Sequence, residues 1–371
     1  MNSACKKLAE ALVKENIEGM IITSAANIRY FSGFASEDGW VFVGRGGAAL
    51  ITDGRYWDDV TAKLPDVELV KYVAARDGSL NLCLAGWLRS KGVSGSIAFE
   101  GDTISLADFH SIERLLMAGV VKDLINKSDL ISDLRLIKTE AELRGIAKAA
   151  AAADAAWRRA LPAFKEGVSE ADFCAELEYC MQKCGARKPS FDTIVASGIN
   201  GAYPHATVTD KVIKRGELVT VDFGCIVDGW CSDITRTVWL GDLDEKSLKI
   251  WQTVRRAHDT ALESVKAGIG CADLDKIARD IIAEAGFGEY FNHSLGHGVG
   301  LAVHERPGLR NTSEEILAPG MTATIEPGIY IPGFSGCRIE DLVYVKADGY
   351  ERLSRAPYQI PGQAHPLEAY K

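Results

Sequence analysis

Several absences narrow the sequence before any motif is read. No Cys-x-x-Cys pair occurs among its nine cysteines, whose number is odd and whose spacing is scattered. That pattern argues against a disulfide framework and for reduced, mostly buried thiols in a cytoplasmic protein. No run of roughly 18 apolar residues appears, so no helix is expected to span a membrane. The start of the chain lacks the apolar core of a signal peptide, because Lys6, Lys7, Glu10, Lys14, Glu15 and Glu18 interrupt it. Positive charge is in deficit: 42 Lys and Arg stand against 51 Asp and Glu, a net charge of −9. Such a surface repels phosphate backbones, so no nucleic-acid partner is expected. There is no Gly-x-Ser-x-Gly elbow and no phosphate loop ending in Gly-Lys-Ser/Thr, which removes two large enzyme classes. His293 and His297 have the spacing of a zincin helix, but Ser294 stands where that class needs glutamate.

What is present reads as a two-domain globular chain. Its 371 residues exceed the size at which one core stops growing, roughly 250–300 residues. Hydrophobic residues at 47% and charged residues at 25% exclude wholesale disorder. The first third alternates helix-like stretches (3–15, 79–90, 106–118) with strand-like ones (20–23, 40–43, 48–52, 97–99), as in a small α/β domain. The division falls at 137/138, giving a smaller α/β domain over 1–137 and a larger α+β domain over 138–371. Thr139 and Glu142 form a capping-box pattern ahead of an Ala-rich helix running to Ala160, which Pro162 closes. Ser169 caps a second helix that ends near Gly185. Strands 218–223 and 231–240 flank an Asp228-Gly229 turn, helices follow at 245–266 and 272–285, and a second hairpin joins 322–331 to 338–345. The tail after Arg355 reads as irregular.

Acids inside apolar strands carry the chemistry. Asp222, Asp233, Glu326 and Glu340 sit in or beside the strands of the two hairpins. Taken singly, each would be an edge charge or a salt-bridge partner. Together they would repel one another unless something positive lay between them. Divalent cations are that remedy, and His297, in Gly296-His297-Gly298, offers an imidazole where glycines let the backbone come close. Such a site activates water and polarises a carbonyl. His205 in a loop would ordinarily be solvated, and His304 would ordinarily be a satisfied core histidine. His110, His258 and His365 have no supporting context, and Cys180 and Cys184 lack partners for a zinc site.

These residues resemble the aminopeptidase P, prolidase and methionine aminopeptidase group of metallopeptidases, family M24, with the pita-bread fold. The stretches that carry the resemblance are Val221-Asp222-Phe223-Gly224 with Ser232-Asp233-Ile234-Thr235-Arg236, Gly296-His297-Gly298-Val299-Gly300 with Val303-His304-Glu305, and Thr324-Ile325-Glu326-Pro327-Gly328 with Arg338-Ile339-Glu340-Asp341. Asn27-Ile28-Arg29-Tyr30-Phe31 and Thr52-Asp53-Gly54-Arg55-Tyr56 are similar to a creatinase-type N-terminal domain, which methionine aminopeptidases lack.

The resemblance implies roles for individual residues. Asp222, Asp233, His297, Glu326 and Glu340 would hold two divalent metal ions, Mn²⁺ first, with Co²⁺, Zn²⁺ or Fe²⁺ as alternatives. Glu326 would also shuttle the proton, while His205 and His304 would hold the scissile carbonyl. His293 would line the pocket for the residue after the cut, with Arg338 and Tyr330 backing the acids. The implied substrate is a small peptide with proline second, and the implied assembly is a homodimer. Many dipeptide-specific relatives carry Arg directly after the proline of the His-Glu-x-Pro stretch, where it can pair with a substrate carboxylate. Here Gly308 stands there, with Arg306 and Arg310 nearby. This tilts the reading toward aminopeptidase P, with a Xaa-Pro dipeptidase as the alternative. A creatinase-like amidinohydrolase, a metal-dependent lyase and a non-catalytic peptide-binding module stand behind it.

Overall fold

The computed structural model describes residues 3–36 and 38–370, which fall into two compact units, Met1–Arg135 and Leu136–Lys371. The first is a six-stranded sheet with helices on both faces. Its strands run Glu68–Lys71, Gly47–Thr52, Gly39–Gly44, Gly19–Ile22, Ser96–Phe99, Asp123–Asn126 across the sheet. Gly39–Gly44 is antiparallel to both neighbours, and the other pairs are parallel. Alternation along each strand splits the core in two. Met20, Ile22, Val41 and Val43 meet Leu8 and Leu12 of helix Ser3–Lys14 on one face. Ile21, Trp40 and Phe42 meet Leu84, Leu88 and Ile112 on the other. Sequence periodicity missed the edge strands Glu68–Lys71 and Asp123–Asn126, which are four residues each and only half-buried, so they carry little apolar signal.

The second unit repeats one construction twice. Helices Glu140–Ala160 and Glu170–Lys183 cover strands Ile194–Ser197, Val219–Phe223 and Ile234–Val238, with Trp157 stacked on Phe223 at 5.3 Å. Helices Glu245–Glu263 and Cys271–Glu284 cover Thr322–Ile325 and Asp341–Lys346 around Trp251, Leu274, Ala323 and Val343. The predicted caps form. Glu142 N–H donates to Thr139 Oγ1 while Thr139 N–H donates to Glu142 Oε2, and Asp172 N–H donates to Ser169 Oγ. The tail after Arg355 carries only a short 3₁₀ turn, Pro366–Tyr370.

Both expected hairpins exist, and both are broken in the middle. Asp228 and Gly229, at φ 50° and 86°, turn Cys225–Val227 back on Trp230–Cys231. The ladder then lapses and resumes where Ile234–Val238 pairs with Val219–Phe223. In the second hairpin, Thr322–Ile325 pairs with Asp341–Lys346 and Gly328–Ile331 with Ser335–Arg338. Glu326 and Glu340 lie in the gap between the two ladders. Of the four acids, only Asp222 sits within a paired strand. Asp233, Glu326 and Glu340 occupy interruptions, where the backbone can aim a carboxylate sideways without losing an apolar position.

Candidate active site

The two broken hairpins aim their acids into one cavity of about 750 Å³. Asp222, Asp233, Glu326 and Glu340 all line it, as do His293, His297, His205 and His304. Arg338 lines it too, whereas Tyr330 stands behind the wall, 4% exposed. A second cavity of about 770 Å³, between Phe42, Trp87 and Lys122 of the first unit, contains none of these residues.

Strand Gly296–Gly298 brings in His297. Gly296 has no alternative there, because a Cβ would overlap the carbonyl oxygen of Thr324 on the adjacent strand. The His297 ring is fixed from both sides. Nδ1 lies 3.1 Å from Gly298 O, and Nε2 faces Glu326 Oε1 at 3.2 Å and Asp233 Oδ2 at 3.6 Å. An imidazole whose Nδ1–H is held by a carbonyl presents Nε2 as a ligand. Single donor atoms from Asp233, His297 and Glu340 lie within 4.8 Å of one another, a spacing that can hold a cation. Asp222 Oδ1 is buried and has no hydrogen-bond partner, an orphan acceptor of the kind a cation satisfies.

The electrostatics support the same reading. Without cations, burial pushes Asp233 and Glu340 well above the carboxylate range, and repulsion from the neighbouring acids adds to it. Burial raises Asp222 as well, against the pull of Arg338. Burial alone would also raise Glu326, but the hydrogen bond and charge of His297 outweigh it and hold Glu326 at about 2. His297 is raised in turn, its burial outweighed by Glu326. Three acids raised by burial and mutual crowding, beside a fourth paired with a histidine, form a site whose electrostatics favour a bound cation. The oxygen-rich donor set with one imidazole suits divalent first-row ions.

Around the acids runs a chain of donors. Arg338 donates through Nη2 to Asp222 Oδ2 at 2.6 Å, through Nε to Thr235 Oγ1 at 3.1 Å and through Nη1 to Tyr330 Oη at 2.7 Å. Tyr330 Oη lies 2.9 Å from His293 Nε2, and His293 Nδ1 lies 2.8 Å from Ser294 O. Burial lowers His293, so the neutral ring donates to Ser294 O and accepts from Tyr330. Thr235 Oγ1 donates to Glu340 Oε2 at 2.8 Å. His205 and His304 are exposed at the cavity, His304 with its ring 4.3 Å from that of His297. Partial desolvation, then the charge of His297, lowers His304.

Sequence reading missed two features. Thr235 and Thr324 orient Glu340 and Glu326, the latter at 3.0 Å, and nothing in their spacing marks them. His258, left without a role, is fully buried beside Asp341, with Nε2 3.3 Å from Oδ2. Arg236 donates to Asp341 Oδ1 at 2.9 Å, to Glu340 O at 2.6 Å and to Ala356 O. A basic residue inside the apolar strand Ile234–Val238, matched by the second acid of Glu340-Asp341, was the available signal.

Comparison with known proteins agrees with this geometry. The pattern of metallopeptidase family M24 matches residues 144–347, and that of the creatinase/prolidase N-terminal domain matches 5–137. The chain is 40% identical over 366 residues to the Xaa-Pro dipeptidase of Pyrococcus horikoshii, covering 97% of this chain and 99% of that one. Among solved structures, the Xaa-Pro dipeptidase from Bacillus anthracis superposes with a TM-score of 0.89 at 37% identity, over 96% of this chain and 98% of that one. An X-Pro aminopeptidase from Thermotoga maritima superposes with a TM-score of 0.87 at 33% identity, again over 96% and 98%.

Proposed function

The chain belongs to metallopeptidase family M24, a pita-bread domain behind a creatinase-type N-terminal domain, and on that premise we propose that it hydrolyses Xaa-Pro bonds at the N-terminus of peptides with two divalent ions. The observation that carries the reading is the convergence of four acids and His297 on one cavity. Asp222, Asp233 and Glu340 would hold one ion, and Asp233, Glu340, His297 and Glu326 the other, with Mn²⁺ the first ion to test. When bound, the ions supply Lewis acidity, polarising the scissile carbonyl and lowering the pKa of a water.

The remaining steps belong to side chains. Glu326 Oε accepts the proton of the attacking water and passes it to the departing nitrogen. Without cations, the hydrogen bond and charge of His297 hold Glu326 low against its burial, so its carboxylate is ready to accept a proton. His304 and His205 donate N–H groups to the carbonyl oxygen as it gains charge. Arg338 orients Asp222 by donating to it and, through Tyr330, orients His293 against the proline ring. The bond before proline suits this machinery. Its leaving group is a secondary amine that departs only when protonated, and proline has no N–H for ordinary peptidases to grip.

Peptide length follows from what lines the cavity. Among the described residues, its only guanidinium is Arg338, which is committed to Asp222. Arg306 is tied to Glu315 at 2.8 Å, and Gly308 carries no side chain. With no cation free for a terminal carboxylate, removal of the first residue from longer peptides is the favoured mode. A dipeptidase is the second reading, favoured by one contact: Arg310 Nε lies 3.8 Å from where a Gly308 Cβ would stand, and Gly308 pairs with His297. The experiment is product analysis on Mn²⁺-loaded protein with Ala-Pro and Ala-Pro-Ala. Release of alanine from the tripeptide supports the first mode, and cleavage of the dipeptide alone supports the second.

The proposal extends to a cytoplasmic homodimer. All nine cysteines are free, which suits a reducing compartment. Among the described residues, no helix is long and apolar enough to cross a membrane.

A further inference from the structure

One wall of the cavity carries charge that the reaction does not use. Besides the residues above, the cavity is lined by Cys174 and Glu178 of helix Glu170–Lys183, and by Asp192 and Thr193, which lead into strand Ile194–Ser197. A single thiol joins the two segments, since Cys174 Sγ lies 3.9 Å from Glu178 Oε1 and 3.9 Å from Thr193 O. Among the described residues neither Glu178 nor Asp192 has a cationic partner, and the one guanidinium in the cavity is taken by Asp222. Thr193 is 5% exposed, and its hydroxyl is buried without a hydrogen-bond partner. Two uncompensated carboxylates and an unsatisfied hydroxyl on the wall of a substrate cavity call for a ligand that donates hydrogen bonds and carries positive charge.

Position within the site says which part of the substrate meets this wall. Glu326, which protonates the leaving nitrogen, is held through its N–H by Leu295 O, beside His293. On the proposed roles proline lies against His293, which leaves the residue before the cut to the wall of Glu178 and Asp192; that wall adjoins Asp222, whose register partner on the adjacent strand is Ile194. Asp192 and Thr193 immediately precede Ile194. We propose that Glu178, Asp192 and Thr193 form a subsite for a cationic first side chain, so that this enzyme favours Lys-Pro and Arg-Pro substrates. The inference rests on the Xaa-Pro reading above. The Cys174 thiol agrees with it: burial, and then the negative charge of Glu178, pushes it up to about 12, so it stays a protonated donor beside the wall.

The test is kcat/KM on metal-loaded full-length protein for Lys-Pro-Ala against norleucine-Pro-Ala, two side chains of like length differing in charge, with the corresponding dipeptides run alongside. The expected lysine preference is about tenfold, since exposed pairs contribute modestly one by one, and it falls as salt is added. In Glu178→Gln/Asp192→Asn the ratio drops toward one. A wild-type ratio near one, or a ratio unchanged in the double variant while both rates fall together, overturns the subsite and leaves Xaa-Pro hydrolysis standing. Failure to cut either sequence at either length overturns the Xaa-Pro reading and the subsite with it.

Discussion

Replacing Arg236 by methionine removes a guanidinium that is 1% exposed and donates to three carbonyl groups and a carboxylate. Asp341, fully buried, keeps Ser354, Tyr358 and His258 but loses its main counter-charge. Breaking a buried pair from one side costs about 3–5 kcal/mol, so the thermal midpoint of the larger unit should fall by about 6–20 °C. The pH dependence has a definite sign. Burial alone would raise Asp341, yet Arg236 and then His258 outweigh it and hold it far below the usual carboxylate range. A depressed folded value contributes stability above the unfolded pKa, which is lost only as pH falls through the folded one. The wild type therefore keeps this contribution into strong acid, and Arg236→Met loses it at higher pH. Because Arg236 Nη1 also grips Glu340 O at 2.6 Å, metal affinity should weaken by about 10–100-fold. The assays are urea and thermal unfolding of metal-free protein, plus calorimetric titration with Mn²⁺. A stability loss under about 1 kcal/mol, or unchanged metal affinity, refutes the claim that this pair braces the site.

Other outcomes follow from the same geometry. Glu326→Gln should cut kcat by about 100-fold or more, read from steady-state rates at saturating Mn²⁺, because the amide cannot accept the proton. Binding of Mn²⁺ to metal-free protein should release protons and tighten as pH rises. Asp233 and Glu340 are raised by burial and then by repulsion from neighbouring acids, a shift toward the protonated form that cation binding must reverse. For the same reason the metal-free chain should lose stability as pH rises through that raised window, since its folded state binds more protons than its unfolded state; thermal melts across pH 5–8 check this. Gly296→Ala should destabilise by about 1–3 kcal/mol and weaken metal binding, because its Cβ would push the His297 strand off Thr324 O.

Much of this arrangement was legible in the residues. Thr139 and Glu142 announced their helix, because a capping box is a local contract between residues three apart. Asp228-Gly229 announced its turn because its backbone needs positive φ at both positions. Asp222, Asp233, Glu326 and Glu340 stood out because apolar neighbours made their burial costly. The lapses in the ladders at Asp233, Glu326 and Glu340 were not legible, since a broken strand keeps the apolar pattern of a whole one. Nor was the union of Arg236 with Asp341, 105 residues apart, which only the packing of the two halves creates. Glu178 and Asp192 belong to no motif in the sequence, and only the meeting of a helix and a loop on one cavity wall brings them together.

The most direct test of the central claim is to titrate metal-free protein with Mn²⁺ while counting bound ions and measuring Xaa-Pro cleavage on the same samples. The account predicts no cleavage without metal, activity that rises with occupancy, saturation near two ions per chain, and loss of both in Asp233→Asn. Cleavage by the metal-free chain, or two bound ions with no Xaa-Pro peptide cut, would contradict it.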